Sequence, residues 1–194
     1  TVMLALPGSS YLYQGEELGL PETDLLFEEL TDPRGIRFWP EDKGRDGCRT
    51  PMPWNANLPH AGFTTGTPWL PVKHPSVVLS ADQQEQDPES TLNFYRKILA
   101  WRKTRPTLRT GDIAFFDTAE PILAFTRSGD DGDLVCVFNL SAEARRVTIT
   151  GVEGSLEPVS NQAELSGSDL VLGPNGFAIL PARPGSANVV HQGE

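Results

Sequence analysis

Gly44-Arg45-Asp46-Gly47-Cys48-Arg49-Thr50-Pro51-Met52-Pro53-Trp54 sets two arginines four apart around an Asp-Gly turn, with an aromatic ring close behind. A guanidinium is a planar fork of donors, suited to a carboxylate or to a pair of hydroxyls. Arg45 is therefore a candidate binding residue. Asp46 is placed to hold that fork, and Trp54 either to pack a sugar ring or to fill the core. The plainer reading of the same residues is a local ion pair, an aspartate between two arginines. Upstream, Tyr11 to Gly19 (YLYQGEELG) joins two aromatics to Glu16 and Glu17. Paired catalytic carboxylates must straddle a bond, about 5–9 Å apart, and neighbours at a strand end point opposite ways. A structural role is expected instead: one glutamate against an arginine or backbone donors, the other solvated. No Gly-rich phosphate loop, nucleophile elbow or zinc motif is present. His60, His74 and His191 are scattered without metal-ligand spacing, so neither a metal nor a cofactor is expected. Cys48 and Cys136 are too few for a disulfide framework, and Cys136 lies in an apolar run that reads as core.

The elements that must position these residues change character along the chain. Residues 1–20 read as an apolar run, a turn, a short strand at Tyr11-Leu12-Tyr13 and an acidic end. From Pro33 to Pro75 there are eight prolines in 43 residues, which excludes long helices and predicts an extended irregular stretch. Phe38, Trp39, Trp54 and Trp69 bring enough apolar area to argue that this stretch is ordered. Asp87-Pro88-Glu89 reads as a helix start. Leu92, Tyr95, Ile98, Leu99 and Arg102 then keep helical spacing to Pro106, predicting a helix over about 88–104. After Gly111 the period becomes two. Strands are predicted at 113–117, 122–127, 134–139, 146–150, 156–159, 170–172 and 177–180, with a hairpin loop at 128–132. Short strands at this spacing indicate an antiparallel β-sandwich. Charge divides at the same place: 12 bases against 14 acids over residues 1–110, but 4 against 12 over 111–194. Two domains are expected, 1–110 and 111–194, the second ending in a polar tail after Pro184.

Composition narrows the function. The 194 residues carry a formal charge of −10, which argues against a nucleic-acid partner. No apolar run approaches the ~20 residues of a membrane span. No basic stretch followed by an apolar core marks a signal peptide, and a cytoplasmic protein is expected. Thr1 to Leu6 is an apolar run with no turn or cap before it, so the chain reads as the C-terminal part of a longer protein.

Four segments together carry a family resemblance: LPGSSYLYQGEELGLP (Leu6–Pro21), GRDGCRTPMPW (Gly44–Trp54), HAGFTTGTPWLPV (His60–Val72) and FYRKILAWRK (Phe94–Lys103). In this order they resemble the C-terminal third of an α-glucosidase of glycoside hydrolase family 13, the α-amylase superfamily, in its oligo-1,6-glucosidase and exo-α-glucosidase branch. The resemblance implies an α/β plus all-β architecture: the last βα unit of a (β/α)8 TIM barrel, a long loop on the barrel's active-site face from Glu16 to about Ser80, the closing helix, and a β-sandwich. It implies that Thr1–Tyr13 carries the end of the last barrel helix and strand eight, and that the N-terminal remainder of the barrel is this chain's partner. The nucleophile Asp, acid/base Glu and stabilising Asp of that family would precede Thr1, so no catalytic residue is expected here. The first arginine of the R-D-x-x-R-T-P motif reaches the terminal glucose, a role that would fall to Arg45; Arg49 would support the loop. Gly47-Cys48 stands where Asn-Ala is usual, Pro53 where Gln is usual, and the loop from Gly19 to Gly44 is short. These departures lean toward short α-1,4 substrates such as maltose. The implied activity is a retaining α-glucosidase that releases or transfers terminal α-glucose. Alternatives are a transglycosidase of the sucrose isomerase or trehalose synthase type, and a carbohydrate-binding β-sandwich module.

Overall fold

A computed structural model describes residues 1–191, with the last three residues of the polar tail outside the described residues. The chain forms two compact units, one of residues 1–10 with 97 onward and one of residues 11–96. Its helices are α1 (Val2–Ala5), α2 (Pro33–Phe38), α3 (His74–Val77), α4 (Ala81–Gln86), α5 (Thr91–Lys103) and α6 (Pro106–Thr110). Its strands are β1 (Asp112–Phe115), β2 (Ile122–Ser128), β3 (Asp133–Asn139), β4 (Arg145–Thr150), β5 (Asn161–Ser166), β6 (Asp169–Ala182) and β7 (Asn188–Val190). No helix among the described residues is long and apolar enough to cross a membrane.

The first unit is built on an antiparallel sheet of order β1-β2-β3-β6-β4-β7, with β5 also paired to β6. The alternation read in the sequence is the cause. On β4, Val147 and Ile149 are buried while Arg146, Thr148 and Thr150 are exposed. β3 is buried at every position because both of its faces are covered. Val135 and Val137 join Ala124, Ala178 and Leu180 in one core with Val147, Ile149, Leu170 and Leu172. The opposite face carries a row of rings from Phe115 through Phe125 and Phe138 to Phe177, with centroids 5.6–5.8 Å apart. The segments 170–172 and 177–180, expected as two strands, belong to one strand that spans both. Its first part pairs with β4 and β5, its second with β3. Gly173, Asn175 at φ 52° and Gly176 let it kink between those pairings. A Cβ on Gly176 would lie 2.5 Å from the Gln162 carbonyl oxygen, so only glycine fits there. The strand expected at 156–159 is instead a turn, and β5 and β7 form where no strand was expected, β7 within the polar tail.

Among the described residues Arg127, Asp133 and Glu157 are the charged groups buried in this unit. Arg127 is fully buried and donates to four backbone carbonyls: Ala5 at 2.6 Å, Gly111 at 2.7 Å, Leu108 at 3.1 Å and Asp112 at 3.3 Å. No carboxylate pairs with it among the described residues, and burial lowers its pKa. Trp101 Nε1 and the Arg105 guanidinium both donate to buried Glu157.

The second unit is mostly irregular and has small apolar clusters: Leu18, Met52 and Leu92, and separately Leu25, Leu30 and Leu70 against Trp39. Phe38, Trp54 and Trp69 are half exposed. The stretch is thus ordered, but these rings are not what orders it. Polar side chains tie the backbone instead. Buried Gln84 donates to the Leu18 and Leu79 carbonyls and accepts from the Leu92 amide. α5 begins at Thr91, three residues later than expected. Asp87 accepts from the Glu89 amide in a tight turn, and the Ser90 hydroxyl accepts from Asn93 and caps the helix. Tyr11–Tyr13, expected as a strand, has no ladder partner among the described residues and forms none.

Candidate substrate-binding site

The site is assembled from two short segments, 31–35 and 43–49. Asp32 precedes Pro33 and caps α2, its Oδ1 accepting from the Arg34 amide at 3.1 Å. Its other oxygen, Oδ2, accepts from both the backbone amide of Arg45 at 3.0 Å and the Arg45 Nε at 3.1 Å. Arg49 brings a second guanidinium to 3.9 Å from the same oxygen. The Asp32 side chain is 2% exposed and that of Arg45 is 66% exposed. Backbone amides and the Arg45 guanidinium hold the Asp32 carboxyl down at about 2.

Asp46 does not hold the Arg45 fork, nor does it form the local ion pair read as the plainer alternative. It is fully buried, and its Oδ2 accepts from the amides of Thr31 and Asp32 and from the Thr31 hydroxyl, at 2.6, 2.7 and 3.1 Å. Oδ1 has no hydrogen-bond partner among the described residues. Backbone donors win this carboxylate because the Asp46–Cys48 3-10 turn directs it inward. The residue that grips Arg45 is thus Asp32, thirteen positions upstream. Sequence reasoning missed it; the Asp32-Pro33 pair, a helix-start pattern, is the signal that could have found it.

Arg45 keeps its two terminal nitrogens clear of any protein acceptor among the described residues, an open pair of donors on a tethered stem. Close by, Glu22, Asp24, Glu41, Asp42, Lys43 and Gly44 help line a concavity of about 500 Å3. A smaller one of about 210 Å3 is lined in part by Tyr13, Glu16, Glu22, Cys48 and Met52. Glu16 and Glu17 stand side by side on a 3-10 turn. Glu17 accepts from the Gly15 amide at 2.7 Å and Glu16 is exposed. Burial first, then these two carboxylates, raise the pKa of Tyr95. Trp54 is half exposed and fills no core. Cys48 is an exposed free thiol directed at the Arg45 carbonyl, and Cys136 is buried with its thiol pushed up to about 12. Among the described residues no group of three His, Cys, Asp or Glu side chains is arranged to hold a metal ion.

A family model described as "Alpha amylase, catalytic domain" matches residues 1–111. The chain belongs to the alpha-amylase family. Among curated relatives, a probable alpha-glucosidase of Rhizobium meliloti (strain 1021) is 47% identical over 144 residues, covering 74% of this chain and 26% of the relative. A probable oligo-1,6-glucosidase 2 of Bacillus subtilis (strain 168) is 32% identical, covering 73% and 28%. Among solved structures, the alpha-glucosyl transfer enzyme XgtA superposes with a TM-score of 0.88 at 44% identity, over 94% of this chain and 34% of that one. Trehalulose synthase MutB from Pseudomonas mesoacidophila MX-45 superposes at 0.78 with 26% identity, over 96% and 37%. The chain spans about a quarter to a third of the length of these alpha-amylase-family relatives.

Proposed function

We propose that this chain is the C-terminal part of a retaining α-glucosidase that releases or transfers the terminal α-glucose of short malto-oligosaccharides such as maltose, with Arg45 binding that glucose. The observation that carries the reading is the tethered guanidinium. Arg45 is anchored through Nε to a buried carboxylate and holds its remaining donors free, the arrangement needed to bridge two sugar hydroxyls. The identity to an alpha-glucosidase supports it. In this reading residues 1–110 complete a (β/α)8 barrel, with residues 111–194 as the appended β-domain; the end of the family match at residue 111 supports that boundary. The catalytic carboxylates come from elsewhere in the barrel, and Glu16 and Glu17 do not replace them.

Arg45→Ala in the full protein tests the role. Charge-assisted bonds to buried hydroxyls contribute about 1.5–3 kcal/mol, so kcat/KM on maltose should fall by roughly ten- to a few-hundred-fold. Arg45→Lys should recover little, because a point charge does not span two hydroxyls. A folded Arg45→Ala enzyme with wild-type kcat/KM overturns the assignment. Transfer to an acceptor sugar is the second reading, favoured by the superposition on an alpha-glucosyl transfer enzyme. Product analysis on maltose and on sucrose separates hydrolysis from transfer.

A further inference from the structure

Four features of the 31–35 and 43–45 segments point to one role for a residue that touches no substrate. Asp32 Oδ2 holds both the amide and the Nε of Arg45, so one oxygen fixes the root and the far end of the same side chain. Asp32 is itself immobilised: Oδ1 is engaged by the Arg34 amide, and its own amide is held by the buried Asp46 carboxylate. The segments press together through glycines. A Cβ on Gly44, at φ 70°, would lie 2.8 Å from the Gly35 amide nitrogen and 3.1 Å from the Asp32 carboxyl, and a Cβ on Gly35 would run into the Lys43 carbonyl. Finally, the Arg45 side chain is two-thirds exposed while its anchor is buried.

We propose that Asp32 is the positioning residue for Arg45, selecting the rotamer in which the guanidinium presents its two terminal nitrogens outward to a pair of sugar hydroxyls. The inference rests on the reading of Arg45 as a glucose ligand. A free arginine samples many rotamers, and each must be frozen when ligand binds. Here the Nε edge is already fixed, so ligand meets a preformed pair of donors. Asparagine could not substitute fully, because its one oxygen cannot serve both the Arg34 amide and the Arg45 pair. Serine could still cap α2 but would leave Arg45 unheld.

The test is a double-mutant cycle in the full protein, with Asp32→Ser and Asp32→Asn each made alone and with Arg45→Ala, and kcat and KM measured on maltose. Asp32→Ser should lower kcat/KM about tenfold, with the same division between kcat and KM as Arg45→Ala, and Asp32→Asn by less. In the Arg45→Ala background either change should cost under about twofold, since a positioning residue has nothing left to position. A merely structural Asp32 gives the opposite pattern, equal losses in both backgrounds that follow the melting temperature. That result, or wild-type kcat/KM in both Asp32 variants beside an impaired Arg45→Ala, overturns the proposal and leaves the Arg45 assignment standing. A neutral Arg45→Ala overturns both. Should Asp32→Ser not fold, Asp32→Asn carries the same cycle.

Discussion

In the sheet unit the most deeply buried charge is a cation, Arg127, satisfied by four carbonyls, with Asp133 and Glu157 less deeply buried, and the apolar core is continuous. In residues 11–96 the buried charges are the carboxylates of Asp32 and Asp46, satisfied largely by backbone amides, and the apolar clusters are small. Regular strands satisfy their own backbone groups, so side chains can supply apolar area. An irregular, proline-rich segment leaves its amides without ladder partners, and buried acids must take them. The contrast extends to titration. Among the described residues five carboxylates in the loop unit have lowered pKa values: Asp24, Glu29, Asp32, Asp42 and Asp82. In the sheet unit Asp131 does, held by Thr107.

The comparison can be broken at several points, all read in the full protein by peptide-resolved hydrogen exchange, which reports each unit separately. The largest effect is expected from Phe125→Ala. This ring is fully buried between Phe115 and Phe138, and its loss should destabilise the sheet unit by about 3–5 kcal/mol while protection in residues 11–96 is unchanged. Next is Asp46→Ala, which strands the Thr31 and Asp32 amides. About 2–3 kcal/mol should be lost, confined to the loop unit. Asp46→Asn keeps one acceptor oxygen and should cost about 1 kcal/mol or less. Equal loss of protection in both units after either change would show that they do not differ as described.

The smallest effect is expected from acid. A carboxylate whose folded pKa is depressed contributes stability that is full above its unfolded value, about 4, and is lost as pH falls through the folded value, about 2 for Asp32. Protection should therefore fall in residues 11–96 before the sheet unit as pH drops from about 4 toward 2. Coincident loss in both units would contradict the division.

The sheet was legible because alternation survives wherever one face is buried: β2, β3 and β4 lie within a residue or two of where the period-two pattern put them. β5 was not legible. Asn161, Gln162 and Glu164 are polar on an exposed strand whose pairing, not its composition, makes it a strand. β6 reads as two strands because Gly173 and Gly176 look like turn signals, whereas here they allow a kink. The Asp-Pro signal was read at Asp87, where it proved early because Ser90 outcompeted it for the cap, and it was not read at Asp32, where α2 follows directly. The role of Arg45 as a candidate could be read from its side chain alone. Its anchor could not, because nothing in one dimension says whether Asp46, one residue away, or Asp32 faces it. Only the close approach through Gly35 and Gly44 decides that.

The four carbonyls around Arg127 also set an order of events in time. Ala5 and Arg127 are 122 positions apart, so at ribosomal rates of about 5–20 residues per second the Ala5 carbonyl waits roughly 6–24 s for its donor to be made. In that interval the buried pair Leu4 and Ala5 has none of the β2 residues that later flank Arg127, while all of residues 11–96 emerge. The first ten residues are thus the earliest part of the sheet unit to be synthesised, and their contact with Arg127 must wait for β2. A nascent chain stalled before β2 should expose them to a chaperone.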